Sequence, residues 1–167
     1  VTMKFHADRY TQQEITEIYY RNIGTVYRLA YLYLKNPADA EDAAQSVFLK
    51  MIRSGHRFDS IQHEKAWCIS VTKNHCRDLL KSFWRTRRAD LERLPEAADE
   101  TPPEEGVLLE MILTMPGKYK EVLYLYYYEG YSVRELASIL NQKESTLQTR
   151  LATGRKMLKK IYEEGNR

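Results

Sequence analysis

Three groups of side chains in this chain have the types and spacing to do chemistry. The first is His63, Cys68, His75 and Cys76, borderline to soft ligands in one short stretch. Their spacing matches no common zinc pattern, and no paired carboxylate and base accompanies them. On one helix the two cysteines would lie ~12 Å apart, beyond disulfide reach, and read as small buried apolar groups. The second group is Ser70, Lys73, Asn74, Arg77 and Lys81, with Trp67 and Trp84 beside them. An amide flanked by cations and indole rings suits unpaired bases: rings stack, Asn74 meets a base edge, and the cations hold phosphates. The third is Ser145, Gln148, Thr149, Arg150, Arg155 and Lys156, whose chemistry is contact with duplex base edges and phosphates. A plain solvated helix face has the same composition, so the elements that carry these groups must decide.

The third group sits in Glu129 to Lys160, which reads as two helices joined by a tight turn. Ser132 and Glu135 have the spacing of a capping box, and Gly130 releases the helix before it. Val133, Leu136, Ala137 and Leu140 recur at helical spacing and give an inward face. Asn141 falls at the sharp turn, where asparagine tolerates a left-handed backbone. Leu147, Leu151 and Leu158 then line one side of a longer basic helix. A polar, cationic helix behind a short turn is a helix-turn-helix pattern suited to the major groove; an amphipathic hairpin with a wet basic face is the plainer reading.

The second group sits on a helix predicted from about Glu64 to Trp84, with Trp67, Ile69, Val71, Leu79, Leu80 and Phe83 inward. Ahead of it, Thr11 and Glu14 form another capping box. The helix they open carries Ile15, Ile18, Tyr19, Ile23, Val26, Leu29, Ala30 and Tyr33 inward. Asn36-Pro37 ends that helix and caps the next, which buries Ala40, Ala43, Ala44, Val47 and Met51. Its outer face carries Asp42, Gln45, Ser46 and Leu49, either a solvated face or a dock for a basic partner. Gly55 and RFDSIQHE read as a loop.

Arg85 to Gly106 loses apolar periodicity and holds Pro95, Pro102 and Pro103, so it reads as a linker, helical in part at Asp90 to Leu94. A second domain starts near Val107, with Met115-Pro116-Gly117 as punctuation. Most of the thirteen tyrosines read as core rings with wet hydroxyls. No strand-period segment is present, so the expected class is all-α: two small helical domains, residues 1–86 and 107–167, joined by a flexible linker, 87–106.

At 167 residues the chain has room for one ordinary domain or two small ones, and its formal charge of +3 is mild. The distribution says more. Basic groups gather at Lys81 to Arg88 and Arg150 to Lys160, while Glu96 to Glu105 form an acidic run between them. Two basic patches separated by acid suit two surfaces on one polyanion. LAYLYL and VLYLYYY are too short to span a bilayer, and nothing near Val1 resembles a signal peptide. A cytoplasmic location is expected.

Four segments in order then resemble one family. NPADAEDAAQSVFLK is similar to DPxDAEDLVQEVFLK, KAWCISVTKNHCRDLL to xAWLYRIARNxxxDxL, MPGKYKEVLYLYYYEGYSVRELASIL to LPxxxREVLLLxxxEGxSYxEIAxxL, and STLQTRLATGRKML to GTVKSRLxRARxxL. The chain thus resembles the extracytoplasmic-function (ECF) group of the sigma-70 family, nearly end to end. The resemblance implies an alternative sigma factor with no cofactor and no enzymatic role. Its partners would be core RNA polymerase, through the clamp helices of the largest subunit and the flap of the second largest, promoter DNA, and an anti-sigma factor. It places polymerase docking on Asp39, Asp42, Gln45, Ser46, Phe48 and Leu49. It places −10 contacts on Trp67, Ser70, Lys73, Asn74, Arg77 and Lys81, and −35 contacts on Ser145, Gln148, Thr149, Arg150, Arg155 and Lys156. The alternative in the binding class is a stand-alone dimeric helix-turn-helix regulator, and in the enzyme class a metal hydrolase using His63, Cys68, His75 and Cys76.

Departures from the family pattern carry expectations of their own. Ser46 replaces a usual glutamate, and SIQHE replaces the usual loop before the −10 helix. Lys143 stands where a serine caps the recognition helix, a loss of ~1 kcal/mol. Gln148 and Thr153 stand where cations are common, and Ala152 is smaller than usual. Weaker phosphate attraction and more amide readout follow, with Gln148 against an adenine edge.

Overall fold

Thr11 starts the fold. Its hydroxyl oxygen accepts from the Glu14 amide at 3.1 Å while the Glu14 carboxylate accepts from the Thr11 amide at 2.8 Å. This reciprocal cap opens α1 (Gln12–Leu34). Lys35 ends it in the left-handed region at φ 53°, donating its amide to Tyr31. Asn36, extended ahead of Pro37, then accepts from the Asp39 amide at 3.0 Å and starts α2 (Pro37–Ser54). Gly55, at φ 59°, closes that helix.

The computed structural model describes residues 9–87 and 106–167, in which every regular element is an α-helix. They divide into two compact units, Val1–Ala98 and Asp99–Arg167. The predicted short helix at Asp90 to Leu94, and nearly all of the predicted linker, lie outside the described residues.

In the first unit α1 and α2 pack on each other and on α3 (Ile61–Arg87). α3 begins three residues before the predicted Glu64, because the Ser60 hydroxyl accepts from the His63 amide at 3.0 Å and serves as its cap. It also runs past Trp84 to Arg87, shortening the expected linker. Val26, Leu29, Leu32, Ala40, Ala43, Val47, Met51, Ile69 and both cysteines form its sealed interior.

Several expected core residues lie elsewhere. Leu79 and Phe83 are 40% and 43% exposed, since the last turns of α3, from Arg77 to Thr86, are exposed except for half-buried Leu80. Tyr19 is exposed because the inward face of α1 passes through Asn22 and Thr25 instead. Of the tyrosines only Tyr10, Tyr31 and Tyr124 are buried; Tyr20 and Tyr162 stand mostly in solvent.

Asn22 is inside because it serves a buried charge. Glu64, 4% exposed, accepts from Arg21 at two nitrogens, 3.0 and 2.9 Å, and from the Asn22 amide at 2.6 Å. Asn22 also donates to the Ile18 carbonyl. The carboxylate lost its water on folding and is repaid by a bidentate guanidinium and an amide. This pins the first turn of α3 to α1.

The second unit holds α4 (Val107–Leu113), α5 (Gly117–Tyr127), α6 (Val133–Leu140) and α7 (Glu144–Gly165). Ser132 and Glu135 make the predicted reciprocal cap at 3.2 and 2.8 Å. Asn141 takes the predicted left-handed conformation, φ 51° and ψ 52°, and Gln142 donates to Ala137 to close the turn into α7. Leu136, Leu140, Leu147 and Leu151 are buried with Val122, Leu123, Tyr124 and Leu125 of α5. A Cβ at Gly154 would stand 2.9 Å from Leu123 Cδ1 and 3.2 Å from its Cγ, so α5 rests directly on the α7 backbone.

Gly154→Val is expected to cost about 2 kcal/mol by overpacking this contact. Reduced amide-exchange protection of α5 and α7 checks it, and unchanged protection would show the contact to be slack. The two capping carboxylates give a pH prediction. Glu14 and Glu135 are held below the ordinary 4.5, chiefly by the Thr11 and Ser132 amides respectively. Their folded values lie under the unfolded ones, so their contribution is complete above 4.5 and disappears as pH falls through the lowered values. Amide resonances of the first turns of α1 and α6 should therefore report fraying in that acidic range and not above it.

Candidate nucleic-acid interfaces

On α3, Trp67, Ser70, Asn74, Arg77 and Lys81 fall at alternating steps of three and four and share one face. Asn74, Arg77 and Lys81 are exposed and Ser70 is half-buried. Lys73 departs from the expected stripe. It is 4% exposed, because it lies one turn from buried Ile69 and Cys76 on the inner edge of the helix. Trp67 is half-buried and forms part of an aromatic wall. Phe58 packs edge-on against it at 5.6 Å and His56 lies nearly parallel at 6.3 Å. His63 stands edge-on to both His56 and Phe58. Sequence reasoning missed these partners, which the loop before α3 folds back onto the helix.

On α2, Asp39, Asp42, Gln45 and Leu49 are exposed, and Ser46 donates to the Asp42 carbonyl. Phe48 does not join them. It is buried one turn from Ala44 and packs against the Tyr19 ring at 4.9 Å, so it shapes the surface from beneath.

On α7, Ser145, Gln148, Thr149, Ala152 and Lys156 are exposed along one stripe. Thr149 donates its hydroxyl to the Ser145 carbonyl at 3.0 Å. Arg150 and Arg155 flank the stripe on opposite sides by helical position. Each is held by a residue that the sequence reading did not single out. Arg150 donates to the Gln142 side-chain oxygen at 2.6 Å. Arg155 donates from Nε to the Tyr127 hydroxyl at 2.7 Å, its guanidinium lying 5.5 and 5.8 Å from the Tyr126 and Tyr127 ring centres. The Tyr127 bond raises the Arg155 pKa further. The Tyr127 hydroxyl therefore positions a charge, where the sequence suggests only core rings with wet hydroxyls. Lys143 precedes α7 without a side-chain cap, as its type requires.

Residues 18–86 match the family model described as Sigma-70 region 2, and residues 105–158 match Sigma-70, region 4. The chain is 30% identical over 164 residues to the ECF RNA polymerase sigma factor SigW of Bacillus subtilis (strain 168), across 88% of this chain and 86% of SigW. The chain belongs to the ECF group of the sigma-70 family. It is also 30% identical over 156 residues to the ECF sigma factor SigE of Mycolicibacterium smegmatis, but spans only 59% of that protein. In fold it is similar to the sigma factor RpoE of Bartonella quintana, solved in complex with the anti-sigma factor NepR: TM-score 0.73, 17% identity, 91% of this chain and 96% of that one. α1 to α3 thus correspond to sigma region 2 and α4 to α7 to region 4.

No group of three or more His, Cys, Asp or Glu among the described residues is placed to hold a metal ion. None of their helices is long and apolar enough to cross a membrane. His75 lies beside Lys50, and burial, then that ammonium, lower its pKa. Cys68 and Cys76 are fully buried, and burial pushes each thiol up to about 12. Both should stay protonated and unreactive to iodoacetamide at pH 8, then label fully in denaturant. Fast labelling of the native protein, read by mass spectrometry, would contradict the packing of α3.

Proposed function

We propose that this chain acts by binding alone, as an alternative sigma factor that directs core RNA polymerase to a subset of promoters. The observation that carries the −35 half is the α7 stripe: base-reading side chains at its centre and an arginine held on either flank. On this reading Gln148 and Thr149 meet base edges, and Arg150, Arg155 and Lys156 fix the helix on phosphates, with Ser145 at its entrance. Exposed Asn74, with Arg77 and Lys81 below it, meets −10 bases that only melted DNA can present. A paired base hides the edge that Asn74 would bond, so binding selects the opened strand. Ser70 and Trp67 border that contact, and buried Lys73 supports it from the inner edge.

Polymerase docking falls on the outer face of α2, Asp39, Asp42, Gln45, Ser46 and Leu49, with Phe48 beneath. The acidic face suits a basic partner surface, which the family supplies in the clamp helices of the largest subunit; region 4 would meet the flap of the second largest. Residues 1–86 and 107–167 would be the two functional modules and 87–106 their tether. An anti-sigma partner is in keeping with two relatives of like fold: RpoE with NepR, and CnrH with the cytosolic domain of CnrY. Such a factor works where polymerase and DNA are, in the cytoplasm. The stand-alone regulator gains no support, since the region 2 match gives residues 18–86 a role that it leaves empty.

Run-off transcription with bacterial core polymerase tests the proposal. Asn74→Ala is expected to lower open-complex formation roughly tenfold while duplex binding is kept, and Gln148→Ala to relax preference at one −35 position by about 1–3 kcal/mol. Absence of any sequence-dependent transcript with the unaltered chain would end it.

A further inference from the structure

A groove runs beside α7 on the Arg150 side. Lys118 and Tyr119, from the first turn of α5, form one wall, and Ser145, Thr146, Thr149, Arg150 and Thr153 form the other, around a cavity of about 390 Å3. The lining has a single chemical character. Two cations and five hydroxyl-bearing residues line it, and no carboxylate is among them. Such a surface suits an oxyanion that carries charge and accepts several hydrogen bonds. Lys118 is exposed, with its ammonium 5.0 Å from the centre of the neighbouring Tyr119 ring. Arg150 gives one N–H to Gln142 and keeps the rest of its fork for another acceptor.

The position of the groove says which oxyanion. It adjoins the exposed stripe through Ser145 and Thr149, residues common to both. A helix lying in a major groove has a sugar-phosphate strand along each flank, so a strand beside α7 on this side must pass the groove. We propose that Lys118, together with Arg150 and the hydroxyls of Thr149 and Thr153, seats a backbone phosphate of the −35 duplex. α5 thereby becomes a second DNA-contacting element. The proposal rests on α7 being the −35 helix. It also alters the expectation of weak phosphate attraction: Thr153 brings no charge, but Lys118 stands across the groove from it.

The test is promoter-duplex binding by the full-length chain on core polymerase, over a salt series. Lys118→Gln should weaken binding roughly threefold to tenfold and flatten the slope of log affinity against log salt by about 0.9, one phosphate contact. The loss should be equal on duplexes altered at single −35 positions, and Lys118→Arg should restore most of the affinity. Lys118 is exposed, so unchanged circular dichroism is expected and is the control for folding. If Arg150→Gln lowers affinity and slope while Lys118→Gln changes neither, the phosphate seat is overturned and the −35 reading stands. If the Lys118→Gln loss varies with −35 sequence, the seat is likewise wrong. If Lys118→Gln, Arg150→Gln and Gln148→Ala all leave duplex binding intact, the −35 assignment of α7 fails with it.

Discussion

Leu123 lies so close to Gly154 that any side chain there would collide with it. This contact fixes α5 against α7, and the arrangement around α7 follows from it. The end of α5 carries Tyr126 and Tyr127 to Arg155, and its first turn carries Lys118 and Tyr119 to the groove beside Arg150. A bulkier residue at 154 would lift α5 and loosen both together, because neither set of partners belongs to α7. The helix-turn-helix thus depends on a helix outside the two that define it.

The first unit depends on a different kind of constraint. Glu64 is a carboxylate taken almost fully out of water, and such a group is tolerated only when paired and hydrogen-bonded. Arg21 and Asn22 meet that requirement in one geometry, which sets where α3 starts and how it is turned. Because side-chain direction along a helix follows from its rotation, the same pairing decides that Asn74, Arg77 and Lys81 face outward. Replacing such a pair by apolar residues is often neutral for stability. What it contributes is orientation, which apolar packing specifies less sharply.

Features governed by neighbours in sequence were legible from the residues: the Thr11 and Ser132 caps, the Asn36-Pro37 junction and the left-handed turn at Asn141. Each is decided within a few residues by hydrogen bonding and backbone sterics. The Ser60 cap is equally local, yet it was missed because Ile61, Gln62 and His63 show no helical apolar pattern of their own. Glu64 could not be read as buried, since its partner Arg21 is 43 residues away. Lys73 was expected on the exposed stripe but is buried, and Phe48 lies beneath the face it was expected to serve, for a related reason. Each lies at the border between an inner and an outer face, where a shift of one helical position changes exposure completely. The two sigma regions were recognisable because their motifs keep type and spacing together. Gln142, Tyr127 and Lys118 were not, because what they do arises only where α5 and the turn meet α7.

The bonds that hold Arg150 and Arg155 have one more consequence. A long side chain in solution samples many rotamers, and fixing it on a partner ordinarily costs about 0.5–1.5 kcal/mol in lost conformational entropy. Gln142 and Tyr127 impose much of that order while the unit folds. Whatever polyanion meets this face therefore finds guanidinium groups whose freedom is already reduced, and its affinity depends correspondingly less on disciplining mobile chains at the moment of encounter.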